Sequence, residues 1–133
     1  MNIKDKKLSP SVMSILLKLP ALFAAAVMWI LSSQSTLPKP KGIFGFDKFQ
    51  HLLAYAVLAL CIGLWFSAAR WKKYPLRCML ICAAAAALYG AVDEVHQYFV
   101  PGRSCDIWDW AADALGSAAG GGLAMLWNKI IKK

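Results

Sequence analysis

Nearly all of the residues that could do chemistry fall in four short stretches. Asp47, Lys48, His51 and Tyr55 come first, then Tyr89, Asp93, Glu94, His96 and Gln97, then Arg103, and finally Asp106, Asp109 and Asp113. Carboxylates beside a histidine can move protons, hold a cation or hydrogen-bond a ligand, and a neighbouring Arg or Lys can take an anionic group. The spacing puts these side chains on helix faces. His51 and Tyr55 are four apart, and Asp109, Asp113, Gly116 and Gly120 follow the rhythm of one helical stripe.

The elements that must position them are membrane helices. The chain has 133 residues, 59% hydrophobic and only 17% charged, a balance a soluble domain of this size cannot hide. Its apolar residues come in blocks of about twenty, the length that crosses a bilayer. The blocks predict an all-α integral membrane bundle of four transmembrane helices in a single domain, residues 1–133. The spans are expected at about 12–31, 49–69, 76–100 and 107–127.

Pro20 and Lys18 interrupt the first span. Two forms fit: a bent helix whose lysine snorkels to the headgroups, or a short interfacial segment followed by a span with Pro20 in its first turn. The lysine-rich N-terminus resembles a signal peptide, but three more spans follow it, so it reads as an uncleaved first helix. Pro38 and Pro40 mark a loop, Arg70 to Pro75 an interfacial connection carrying Trp71 and Tyr74, and Pro101-Gly102 a stop.

Orientation follows from Lys and Arg. Lys4, Lys6, Lys7, Arg70, Lys72, Lys73, Arg77, Lys129, Lys132 and Lys133 fall on one side, and Lys39, Lys41, Lys48 and Arg103 on the other. The richer side is cytoplasmic, so both termini are expected in the cytoplasm of a multi-pass inner-membrane protein. The net charge of +8 comes from short runs between apolar blocks, a pattern for lipid headgroups rather than a nucleic-acid groove. Cys61, Cys78 and Cys82 read as small hydrophobes inside helices, and Cys105 lies in a loop.

Depth brings the polar residues to one level. At about 1.5 Å per residue, Asp93 lies roughly 10 Å inside the outer end of its span, Asp113 about 9 Å and His51 about 3 Å. Ionisable groups in a membrane are costly and face a bundle interior or a wet cavity. Lys48 and Arg103 are the expected partners of the carboxylates. Gly90, Gly116 and Gly120 read as close-packing positions, and Trp108 and Trp110 as the rim of a pocket in the headgroup layer.

Several of these residues also resemble a known family. Asp47-Lys48-x-x-His51-x-x-x-Tyr55 resembles the opening motif of the VanZ-like family. Tyr89-Gly90-x-x-Asp93-Glu94-x-x-Gln97-x-Phe99-x-Pro101-Gly102-Arg103 resembles its second motif, and Asp109-x-x-x-Asp113-x-x-Gly116 its third. Leu31-Ser32-Ser33-Gln34 is similar to the family pattern as well, so the likeness covers the core from about residue 31 to 120. It implies a small multi-spanning protein of the cell envelope. The family's namesake is linked to low-level teicoplanin resistance, and the likeness carries no catalytic roles with it.

Three functions stay open. One is a binding protein whose pocket, built from Lys48, His51, Tyr55, Asp93, Glu94, Gln97, Arg103, Asp109 and Asp113, meets a lipid-like or envelope-precursor ligand on the non-cytoplasmic side. This function would carry the link to glycopeptide resistance. The second is an intramembrane enzyme using His51, Asp93, Glu94 and Asp109 as acid, base or metal ligands on a lipid-linked substrate. The sequence names no cofactor or metal. The third is a scaffold that assembles with larger envelope proteins, or with itself as a homo-oligomer through Gly116 and Gly120. Membrane lipids are the expected surroundings in each.

Overall fold

A computed structural model describes residues 9–35 and 45–131 of the chain. The Pro38 and Pro40 loop, Lys39, Lys41 and the lysines of both tails (Lys4, Lys6, Lys7, Lys132 and Lys133) lie outside the described residues. Six α-helices make up the fold: α1 Pro10–Leu16, α2 Leu19–Ser32, α3 Phe46–Ile62, α4 Ala68–Lys73, α5 Pro75–Tyr98 and α6 Ile107–Ile131. There is no strand among the described residues.

Among the described residues, three stretches are long and apolar enough to cross a membrane: Pro10–Ser32, Phe46–Trp65 and Pro75–Tyr98. Helix α6 matches them in length, with 25 residues, but Asp109, Asp113 and its run of glycines dilute its apolar character. Its buried residues are small or polar, among them Ala112, Asp113, Gly116, Ser117, Gly120, Gly121 and Ala124. It packs against α3 and α5 through that small-residue face, while Leu123, Leu126 and Ile130 on its other side stay exposed. Large apolar side chains point outward instead, including Phe23, Ile30, Val57, Leu80, Leu88, Val92, Val95 and Leu115. A belt of that kind is lipid-facing surface, and in water it would be an aggregation hazard.

The first span is two segments joined at Leu17 and Lys18, with Pro20 in the first turn of α2. Proline fits there because a first-turn N–H has no helical partner to lose. The second span begins at Phe46 and ends in a 3-10 turn, Gly63–Trp65, instead of running to residue 69. Ser67 then starts α4 by accepting a hydrogen bond from the Arg70 N–H at 3.3 Å. Trp71 is the reason for the fold-back. Its indole N–H donates to the Gly63 carbonyl at 3.0 Å and its ring is buried, so it anchors the connection and is not an interfacial belt residue. The fourth helix starts at Ile107 as expected and continues to Ile131. All four cysteines are free, with Cys78 and Cys82 buried and Cys105 exposed.

Helix α6 reaches the core because it is smooth. A methyl added at Gly116 or Gly120 would overlap the carbonyl oxygen of Leu52 or of Ala56 in α3. One added at Gly121 would sit 2.9 Å from the Met79 carbonyl oxygen in α5. The Gly116 and Gly120 face is therefore turned to α3 within the same chain and does not look outward to a second copy.

Candidate functional site

The N-terminus of α3, the C-terminus of α5 and the N-terminus of α6 meet at one end of the bundle. Every acidic residue of the chain except Asp5 gathers there. The side chains form two linked layers.

The outer layer is ionic. Lys48 Nζ lies 2.5 Å from Asp109 Oδ1, 2.9 Å from Asp106 Oδ2 and 3.5 Å from Asp47 Oδ2. Asp106 sits in the loop before α6, and the Lys48 ammonium hydrogen-bonded to it holds its carboxyl below the usual carboxylate range. Its backbone N–H donates to Glu94 Oε2 at 2.9 Å, which ties the loop to the end of α5. Beneath Lys48, His51 Nδ1 stands 2.8 Å from Asp113 Oδ1, and its Nε2 faces Asp109 Oδ2 at 4.0 Å. The carboxylate opposite Nδ1 is an acceptor, so Nδ1 carries the proton and Nε2 keeps a lone pair toward the pocket.

Asp113 can come so close because Gly90 has no side chain. A Cβ there would lie 2.8 Å from Asp113 Oδ2 and 3.1 Å from the Tyr55 ring. Asp113 is fully buried and its Oδ2 has no hydrogen-bond partner.

The inner layer centres on Asp93. Its Oδ1 lies 2.5 Å from the Ser32 hydroxyl, and its Oδ2 accepts from Gln97 Nε2 at 3.1 Å and the Tyr55 hydroxyl at 3.4 Å. The rings of His51 and Tyr55 run nearly parallel, with centroids 6.4 Å apart and planes 7° apart, as their four-residue spacing requires. His96 stacks on Trp29 at 3.9 Å and approaches Ser32 Oγ at 3.4 Å. It lies beside the inner layer, with its Nδ1 4.0 Å from Asp93 Oδ1.

Between the layers lies a cavity of about 160 Å³, lined by Ser32, Asp47, His51, Tyr55, Asp93, Gln97, Arg103 and Asp109, with Met28 and Leu31 as its apolar wall. Arg103 enters from a tight turn. The Arg103 N–H bonds to the Val100 carbonyl at 3.0 Å, Pro101 takes the second position and Gly102 the third with φ +80°, the signature of a type II turn.

Of the nine residues proposed from sequence, His51, Tyr55, Asp93, Gln97, Arg103 and Asp109 line the cavity, while Lys48, Glu94 and Asp113 lie in the contacts around it and not in its lining. One expected pairing does not form. Lys48 serves the carboxylates alone, and Arg103 makes no ion pair among the described residues, its buried Nε having no partner. Arg103 lines the same cavity as Asp47 and Asp109 without pairing with either. Trp108 and Trp110 are both exposed at this end of the bundle, and the Trp110 indole N–H donates to the Ala87 carbonyl of α5 at 3.1 Å.

The sequence places Asp106 among the residues that could do chemistry but not in the proposed pocket, and it gives Ser32 no role. Ser32 reads as a polar end to a span, and only its place beside Asp93 reveals it.

A model of the VanZ/LLP1 family matches residues 4–128, nearly the whole chain. Searches of curated proteins and of solved structures returned no match. With that match over most of its length and its apolar helices, the chain is a membrane protein that belongs to the VanZ/LLP1 family.

Proposed function

We propose that this protein is a multi-pass inner-membrane protein with four crossing helices, and that its pocket binds the anionic headgroup of an envelope lipid or lipid-linked precursor from the non-cytoplasmic side. The observation that carries this reading is Arg103. A guanidinium lines the cavity with a buried, unpartnered Nε although several carboxylates lie nearby. A buried donor without an acceptor costs about 1–3 kcal/mol, more when charged. A phosphate or carboxylate headgroup would supply the acceptor, in the bidentate geometry Arg favours. Met28 and Leu31 on the same wall suit the start of an acyl chain.

Orientation is argued from charge. Arg70, Lys72, Lys73, Arg77 and Lys129 gather where α4 meets the end of α6, away from the acidic cluster. The positive-inside rule puts that end, and both termini, in the cytoplasm. Helix α6 then crosses as the fourth span, tolerated despite Asp109 and Asp113 because those side chains face the bundle interior.

A ligand of this kind would link the protein to glycopeptide susceptibility, because such drugs act on outer-leaflet envelope precursors. The test is native mass spectrometry of the purified chain, with teicoplanin susceptibility of a deletion strain carrying wild type or Arg103→Ala. A retained anionic lipid lost in Arg103→Ala, with susceptibility moving toward that of the deletion, supports the reading. Equal lipid retention by both proteins would refute it.

A second reading is favoured by the His51–Asp113 contact. A histidine oriented by a buried carboxylate, with its other nitrogen toward a cavity, has the geometry of a general base. An enzyme would lose turnover in His51→Ala or Glu94→Gln while still retaining the lipid.

A further inference from the structure

His51, Glu94 and Asp109 come from three different helices, and each offers a donor atom within 4.8 Å of the other two. We infer that this triad holds a divalent cation of the Mn²⁺ or Zn²⁺ type, which faces the pocket and helps it receive an anionic headgroup. The inference deepens the binding role given above and rests on it.

Three features of the site point to a ligand. The first is Glu94, which is 3% exposed. Its Oε2 accepts the Asp106 N–H, while its Oε1 is buried with no partner among the described residues. A buried carboxylate oxygen left bare is expensive, and a cation is the natural occupant of its lone pairs.

The second is the orientation of His51. Asp113 Oδ1 holds Nδ1 at 2.8 Å, so Nε2 presents its lone pair toward Asp109 Oδ2, 4.0 Å away. Metal-ligating histidines are held by this same device, a carboxylate on the far nitrogen. Donors bonded to one metal at about 2.0–2.2 Å lie roughly 3 to 3.5 Å apart, so a triad whose donors lie within 4.8 Å of one another closes by less than about 2 Å to hold an ion.

The third is charge. Lys48 contacts Asp47, Asp106 and Asp109, while Glu94 and Asp113 have no ammonium within ion-pair distance among the described residues. An added cation offsets that excess and leaves coordination positions open to the cavity. The donor set of one imidazole and two carboxylates suits the borderline and harder divalent ions, and excludes soft thiolate chemistry.

Mn²⁺ is the probe, because it has little affinity for the chain's free thiols. The full chain is purified in a zwitterionic detergent and titrated with Mn²⁺, followed by electron paramagnetic resonance. The expected result is one saturable site whose electron spin-echo modulation shows coupling to an imidazole nitrogen. His51→Gln and Asp109→Asn should abolish that site. Asp113→Asn should weaken it by about 10- to 100-fold, the usual cost of losing an outer-shell partner. Lys48→Met should tighten it by removing a competing charge from Asp109, which a purely structural lysine would not do.

The absence of a saturable site in wild type, or bound Mn²⁺ without nitrogen coupling, would overturn the inference, and both are read on wild type alone. If Arg103-dependent lipid retention persists without Mn²⁺ binding, the cation fails and the pocket stands. If nitrogen-coupled Mn²⁺ appears without Arg103-dependent retention, the cation stands and the lipid reading fails.

Discussion

Replacing Gly116 by alanine tests how the helices position the polar cluster. The added methyl would overlap the Leu52 carbonyl oxygen and lie 2.8 Å from the carbonyl carbon, where ordinary contact begins near 3.4 Å. Both partners are helix backbone and cannot swing aside, so α3 and α6 must part by on the order of 1 Å. That displacement would stretch the 2.8 Å His51–Asp113 contact to about 3.8 Å, outside hydrogen-bond range. Overpacking costs about 1–3 kcal/mol, and the lost hydrogen bond about 0.5–1.5 kcal/mol more. Alanine's better helix propensity returns up to about 1 kcal/mol. The net expectation is a destabilisation of about 0.5–4.5 kcal/mol, with Gly120→Ala also destabilising through its overlap with Ala56. Gly122 is the internal control. Nothing lies within 4 Å of a Cβ there, so Gly122→Ala should be neutral or stabilising by up to about 1 kcal/mol. Unfolding in mixed micelles by SDS titration, followed by tryptophan fluorescence, reads all three. Gly116→Ala unfolding at the same SDS fraction as Gly122→Ala would refute the close α3–α6 approach.

Three further outcomes follow from single contacts. Gly90→Ala should push Asp113 and Tyr55 away from the cluster, since its methyl would meet them at 2.8 to 3.1 Å; the expected cost is about 1–3 kcal/mol, with loss of retained lipid in native mass spectrometry. Tyr89→Phe removes the hydroxyl that donates to the Ala25 carbonyl at 2.6 Å and ties α5 to α2, and should lower stability in the same micelle titration by about 0.6 kcal/mol, the average for such bonds in membranes. Asp106 carries a pH dependence: Lys48 holds its carboxyl below the ordinary value of 3.8, so its contribution is fully present above that pH and disappears as the pH falls through the lower folded value. Melting curves of wild type and Asp106→Asn should therefore differ by a constant amount above about pH 4 and converge as the pH falls below it.

The sequence made the helices and most of the cluster legible because both obey simple periods. The i, i+4 spacing of His51 and Tyr55 survives as parallel rings, and the stripe of Asp109, Asp113, Gly116 and Gly120 faces the interior. Rise per residue was enough to bring α3, α5 and α6 to a common level. What escaped depends on contacts between distant segments. Helix α4 is hidden because a basic and aromatic run reads as a connection, and only the Trp71 bond to Gly63 folds it back. Ser32 and Asp93 are far apart in the chain but in contact, and no local pattern announces such a pair. The charge state of Arg103 was readable, but its lack of an ion pair among the described residues, in the same cavity as Asp47 and Asp109, was not.

The account depends most on His51 and Asp113 meeting inside the bundle, and nitrogen NMR of the histidines tests that directly. The chain has only two histidines, so selective ¹⁵N labelling in lipid nanodiscs gives an uncrowded spectrum that His96→Gln assigns. The account predicts that His51 carries a fixed proton on Nδ1 in a strong hydrogen bond, and that Asp113→Asn shifts this signal while leaving His96 in place. A His51 ring that exchanges between tautomers as free imidazole does, with no response to Asp113→Asn, would contradict it.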